Sequence, residues 1–325
     1  MAIPILIARA ERDTGETMRA EEHHDVVIVG AGAAGVSCAL ECYDIQLDTV
    51  VFESKPEPGG QLAEIPHSVR NVAAGRFENG RALRRALEES SAILGDRLRV
   101  SHSALRADLG ERWVEANGTR IHGKALVVCT GTARQNLPAA VDGAFGGDVT
   151  YQLEPRRDRF VGRDVVVIGS GDSAALDALE LAATASSVRL VHRSGTLTAR
   201  HDIVEQVRGE PRIEDLPGRE LEKTTGGDRL EEIVLVRSAG GERLRLRVGG
   251  VIVKIARVPC THLFQGQIEL DRAGAIIVDS ELRTSRDGVL AAGDVTAGSY
   301  PRVATALGQG VLAARSALRY VQGRP

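Results

Sequence analysis

The 325-residue chain is poor in the residues that mark several common protein classes. Aromatics make up 3% of it, with one tryptophan (Trp113) and five phenylalanines, too few for a base-stacking surface. Four cysteines in this length exclude a disulfide scaffold and predict a reducing, cytoplasmic setting. No apolar run reaches the roughly 18 residues of a membrane span. The apolar residues 1–10 lack the basic region and cleavage site of a secretory signal. A formal charge of −3 offers no footprint for nucleic acid or a membrane surface. No His/Cys cluster has metal spacing, and no Ser/His/Asp set has a supporting motif. What the chain has in quantity is glycine, 36 residues, which suits several tight phosphate-binding turns.

The most informative glycines are Gly30, Gly32 and Gly35, at G-x-G-x-x-G spacing after the β-branched run 26–29. That run reads as a buried strand, and residues 33–43 as the helix that aims its first N–H groups at a pyrophosphate. Gly30 permits the turn, Gly32 lets phosphate approach, and Gly35 lets helix and strand pack closely. A second apolar run, 49–52, ends in Glu53, placed to accept from a ribose 2′-hydroxyl. Strand, glycines, helix and acid together predict dinucleotide binding.

The theme recurs. Residues 164–168 form a strand, followed by Gly169, Gly171 and Ala174 at G-x-G-x-x-A spacing, a helix over 173–185 and a strand over 187–191. This unit ends in His192-Arg193 rather than an acid, which suits the 2′-phosphate of NADPH, with Arg200 as a further candidate. Between the motifs lie a Pro/Gly loop at 54–62 and a surface helix over 80–94. Short strands follow near 98–100, 112–115 and 120–122, with Asn117-Gly118 as a hairpin turn, then a buried strand at 124–129. After the second motif come a helix at 201–207, two or three strands over 229–252, and a short strand at 274–278. Another buried strand leads to Gly293-Asp294, where a carboxylate could grip a polyol, and a helix runs over 302–321.

Two dinucleotide motifs, one nested inside the other, and the run Ala291-Ala292-Gly293-Asp294 give the chain its likeness. Over about residues 24–323 it resembles the low-molecular-weight thioredoxin reductase superfamily, including thioredoxin-reductase-like ferredoxin/flavodoxin–NADP reductases. The resemblance implies an α/β fold of two nested Rossmann-like, three-layer ββα domains: FAD-binding 24–135 and 265–325, NAD(P)H-binding 136–264, and a loose arm at 1–23. It implies that Gly30, Gly32, Ala33, Ala34, Gly35, Glu53 and Ser54 hold the ADP half of FAD. Gly60, Gln61, Leu62, Asn71, Thr130 and Gly131 would lie along the cofactor, with Gly293 and Asp294 at its ribityl chain. Arg302, Val303 and Ala304 would reach the flavin's pyrimidine edge. Gly169, Gly171, Asp172, Ser173 and Ala174 would cradle the NADPH pyrophosphate, and His192 and Arg193 its 2′-phosphate. A homodimer is implied in the same way, as is domain rotation hinged at 143–148 and near Pro259.

The departures set the expected chemistry. Thioredoxin reductases carry Cys-x-x-Cys where this chain has Gln152-Leu153-Glu154-Pro155, so no dithiol is available there. Ser194 stands where a second arginine commonly follows His192-Arg193, which leaves NADH open beside NADPH. Cys38 and Cys42 share one helix face at a spacing unsuited to a disulfide, and with Cys129 and Cys260 are read as packing thiols. The expectation is a flavoenzyme that passes NAD(P)H electrons through FAD directly to an external acceptor: ferredoxin or flavodoxin first, a small oxidant next. The alternatives are a disulfide reductase using a partner's thiols and a flavin-binding protein without turnover.

Overall fold

A computed structural model of the chain describes residues 20–135, 137, 145–154, 156–255 and 257–324. These divide into two compact units. One is built from residues up to Gly60, Leu87–Gly131 and the chain from Thr261 onward; the other from Gln61–Ala86 and Thr132–Cys260.

The first unit holds a seven-stranded sheet. Its parallel part runs Leu98–Arg99, Thr49–Phe52, Glu21–Val29, Thr119–Val128 and Val289–Ala291. Trp113–Ala116 and Ala104–Asp108 continue it antiparallel from Thr119–Val128. That strand is one continuous element, where the sequence predicts two short ones. Its first half pairs with the meander and its second half with Val289–Ala291. The Asn117-Gly118 turn holds, both residues at positive φ (48° and 80°) as a tight hairpin requires.

Glu21–Val29 also begins earlier than its apolar run, so residues 21–23 are strand rather than loose arm; residues 1–19 lie outside the described residues. The polar half is held by pairing with Arg120–Gly123, by stacking of His23 on His122 (4.8 Å), and by Arg99 on Glu22 (2.7 Å). Hydrophobic periodicity sees the buried half alone. Likewise, residues 274–278 make only isolated bridges through Ile276, not a strand. The surface helix is Gly80–Ser91, followed by a 3-10 stretch.

The helices Ala33–Asp44 and Val303–Val321 pack against each other in this unit. Their approach is close because Gly310 has no side chain: a Cβ there would collide with the Ala34 carbonyl oxygen. Val27, Val29, Val50, Phe52, Leu126 and Val128 are core residues of the sheet's other face.

The second unit has a five-stranded parallel sheet, in the order Val149–Thr150, Gly250–Val253, Asp164–Ile168, Ser187–His192, Ile213–Pro217. One face packs on helices Asp172–Ala182 and His201–Gly209 through Ala174, Ala178, Leu181 and Ile203. The other packs on an antiparallel meander, Arg219–Gly226, Leu230–Arg237 and Arg243–Arg247, through Leu230, Ile233 and Leu235. The result is the three-layer ββα arrangement. At one edge the buried Asp148 draws in Arg159, Arg163 and Arg229 at 3.0, 3.3 and 2.7 Å.

Candidate functional site: two glycine crevices

In the first unit, Gly30 leaves its strand with φ +100°, and a Cβ there would lie 2.5 Å from the Cys129 carbonyl oxygen. Gly35 lies so close to the Gly30 carbonyl that any side chain would overlap it. Gly32 is the opposite case. An added Cβ would meet nothing within 4 Å, so the turn is open on that side. The helix Ala33–Asp44 starts there with no side-chain cap, leaving its first N–H groups without intrahelical acceptors. Those two features together make a cradle for an anion.

Glu53, 7% exposed, lies beside this turn. One carboxylate oxygen accepts from Ala31 N–H (3.0 Å), the other from Lys55 N–H (2.9 Å) and the Ser54 hydroxyl (3.2 Å). A carboxylate has about four lone-pair positions, so capacity for a ribose hydroxyl remains. The Pro/Gly loop folds back on the same turn. Gly59 N–H donates to the Ala31 carbonyl (2.7 Å), and a Cβ on Gly60 would be 3.1 Å from Gly32 Cα. Thr130-Gly131 follows the neighbouring strand, with Thr130 Cα 3.2 Å from where a Gly30 Cβ would be. Gly293 (φ +84°) donates its N–H to Gln309 Oε1 at 2.8 Å and abuts Ala34, which sets the half-buried Asp294 beside the crevice. Arg302 is the N-cap of Val303–Val321, its guanidinium 4.7 Å above the Tyr300 ring, and Val303 and Ala304 form the first turn. Of the remaining expected residues, Gln61, Leu62 and Asn71 belong to the other unit. Gln61 bonds Thr132 (3.0 Å), Leu62 is buried, and Asn71 is exposed on a hairpin.

The second crevice repeats the first. A Cβ on Gly169 would strike the Lys254 carbonyl, while Gly171 has nothing within 4 Å, and the helix Asp172–Ala182 begins uncapped. Ala174 fits where the first motif needs glycine: a Cβ on Gly169 would lie 3.0 Å from its methyl. Ser173 is exposed at the helix start. The loop from Ser194 is strapped across: Thr198 and Ala199 N–H donate to the Ser170 carbonyl (2.8 and 3.0 Å), and Arg200 N–H to Asp172 (2.8 Å).

His192 does not do what its sequence position suggests. It is 3% exposed, with Nε2 2.8 Å from Asp215 and Nδ1 2.8 Å from the Ser194 carbonyl. With both nitrogens engaged, the ring is a tie between adjacent chain segments rather than a phosphate ligand. Asp215 was invisible to motif reading because it lies on the next strand, 23 residues on. Arg200 is likewise spent, bidentate on Asp202 at 3.1 Å for each bond. Arg193 is exposed and makes no hydrogen bond or ion pair among the described residues.

Three of the four thiols are sealed. Cys38, Cys42 and Cys129 are buried and Cys260 is half-buried. The neighbouring Cys42 and burial push the Cys38 thiol well up; burial, reinforced by Cys42, pushes Cys129 up to about 12. Gln152 is exposed, and Pro155 lies outside the described residues. One further cluster went unread: His67, Asp177 and Glu180 converge within ligand distance of one another. Lys254 Nζ at 2.9 Å from Asp177 and Arg157 at 2.9 Å from Glu180 already balance its charge.

Two uncapped helix starts behind open glycine turns, each on a parallel sheet, define a protein with two Rossmann-type units. The family model "Pyridine nucleotide-disulphide oxidoreductase" matches residues 24–310, and the chain belongs to that family. A thioredoxin reductase of Treponema pallidum is 31% identical over 93% of this chain and 98% of its own. A 34.2 kDa protein in the rubredoxin operon of Clostridium pasteurianum is 29% identical over 94% of this chain and all of its own. Among solved structures, the Lactococcus lactis thioredoxin reductase aligns over 92% of this chain and 99% of its own, with TM-score 0.81 and 25% identity. That of T. acidophilum aligns over 93% and 99%, with TM-score 0.79 and 27% identity. The chain is a thioredoxin-reductase-like NAD(P)H-dependent flavin oxidoreductase.

Proposed function

We propose that this enzyme oxidises NADPH, with NADH as the alternative coenzyme, and reduces a one-electron carrier protein such as ferredoxin or flavodoxin without any dithiol of its own. The observation that carries this is Gln152-Leu153-Glu154-Pro155 in the family's Cys-x-x-Cys place, together with three cysteines sealed in the core. Bound FAD supplies the change from a two-electron donor to a one-electron acceptor. The overall reaction balances as one NADPH and two oxidised carriers giving one NADP+, one proton and two reduced carriers.

The residues supply binding and orientation. In this reading the FAD domain is 24–135 with 265–325, and the nucleotide domain is 136–264. The open face at Gly32, the uncapped helix behind it and the spare lone pairs of Glu53 fit a pyrophosphate and its ribose. Asp294 takes the ribityl hydroxyls, and Arg302 to Ala304 the pyrimidine edge. Gly171 with Asp172–Ala182 receives the coenzyme pyrophosphate, and Arg193 alone meets a 2′-phosphate. The setting is cytoplasmic, and among the described residues no helix is long and apolar enough to cross a membrane.

The test is anaerobic titration of the FAD-loaded protein with NADPH and, separately, NADH while the visible flavin band is followed. Bleaching by either, retained after all four cysteines are replaced by serine or alanine, is the expected result. A band that neither coenzyme bleaches would sink the reading.

A further inference from the structure

Residues 61–86 carry five arginines (Arg70, Arg76, Arg81, Arg84, Arg85) against two acids, Glu64 and Glu78, in a chain whose formal charge is −3. Four of them, Arg70, Arg76, Arg81 and Arg85, are exposed and have no hydrogen bond or ion pair among the described residues. The remainder of the same unit treats most of its surface arginines differently: Arg208, Arg243 and Arg245 sit 2.9, 2.7 and 3.0 Å from Glu205, Glu222 and Glu232. Of the two acids, Glu64 is bound to Arg134 and Arg257 at 3.0 and 3.1 Å, which leaves Glu78, with Glu88 and Glu89 one turn further along the helix that carries Arg81 and Arg85. The field of Arg70 reaches Asp202, but that carboxylate is held bidentate by Arg200.

The placement of these charges is unfavourable to folding in three separate ways. Arg70 and Arg76 lie on the two strands of the short hairpin Val69–Val72/Gly75–Phe77, which keeps two like charges on one small element. Arg81 and Arg85 are four apart on the helix Gly80–Ser91, a repulsive pair on one helical face. Arg81 also sits in the first turn of that helix, at the positive end of its dipole, and no acid accompanies it. Only two residues join hairpin to helix, so Arg76 and Arg81 are within about 18 Å of chain. A surface that keeps like charges out of ion pairs, at a cost to its own fold, is shaped for an external anionic partner.

We propose that this hairpin and helix start, with Arg70, Arg76, Arg81 and Arg85, form the docking surface for a small acidic electron-carrier protein. The proposal rests on the reading above that the acceptor is such a carrier. Docking through rim charges sets encounter rate and salt dependence rather than a large buried contact.

The test measures binding separately from turnover. Flavodoxin, an acidic two-iron ferredoxin and rubredoxin are each titrated calorimetrically into the oxidised FAD-loaded protein, at low and at physiological salt. At least one should bind, with affinity that falls as salt rises. R70E/R76E and R81E/R85E should each weaken that carrier about tenfold or more at low salt, whereas R70K/R76K should bind like wild type. NADPH-driven bleaching and reduction of a neutral quinone should be unchanged in all three, with FAD content and circular dichroism as controls on folding. Binding that ignores salt and charge reversal, or no binding by any of the three carriers, overturns the docking surface. Absence of bleaching in wild type instead overturns the oxidoreductase reading, so the two failures are distinct.

Discussion

Arg193 and His192 are neighbours with opposite tasks, and substitution should separate them. Arg193→Ala removes the one unengaged arginine of the second crevice among the described residues. It is expected to raise KM for NADPH about tenfold while leaving KM for NADH near its wild-type value, read from steady-state kinetics with both coenzymes. His192→Ala breaks the tie between Asp215 and Ser194, so it should cost about 1–2 kcal/mol of stability in thermal melts before it alters coenzyme choice. Glu53→Ala would strand the N–H groups of Ala31 and Lys55, at a cost of about 1–3 kcal/mol, and should yield protein that purifies with little FAD. Both glycine motifs were legible because Gly30, Gly35 and Gly169 answer collisions that a side chain would cause, while Gly32 and Gly171 leave their turns open. His192 was misread because its partners, a loop carbonyl and a carboxylate on the adjacent strand, are fixed by strand pairing that no local pattern records.

Among the elements, the edge of the second unit is sensitive to acid. Burial alone would raise the pKa of Asp148, but hydrogen bonds from Arg229, Leu230 N–H and Arg159 outweigh it and hold the carboxyl below its ordinary value. A depressed carboxylate stabilises the fold above its unfolded pKa of about 3.9, and that contribution is lost as pH falls through the lower folded value. Asp148→Asn should therefore destabilise the protein by about 2 kcal/mol or more at pH 7, and by progressively less as the pH is taken below about 4, measured by denaturant titration across that range. A strand with four buried residues in a row, such as Thr49–Phe52, could be read directly, whereas Gly250–Val253 fell at the end of a stretch read only as two or three strands. Glu21–His24 could not, since ion pairs and ring stacking rather than apolar burial hold it in the sheet.

For the whole molecule, the thiols offer a global check. Among the described residues Cys260 alone is not fully buried, so a thiol reagent should label that one cysteine in the native state and all four after denaturation. Labelling Cys260 should leave NADPH-driven bleaching intact. The nesting of one motif within the other was plain from chain order alone. The compact grouping of Gln61–Ala86 with Thr132–Cys260 was not, because it depends on contacts between distant segments that neither periodicity nor spacing encodes.

The pairing of Thr119–Val128 with both Glu21–Val29 and Val289–Ala291, and the seating of Gly310 against Ala34, impose a timetable on biosynthesis. The parallel strands of the second unit are all available once Val253 has left the ribosome, whereas the first crevice waits for the last helix. An FAD held at the first crevice would need Val303–Val321 to have been made, and a nascent chain halted near residue 300 should emerge without it.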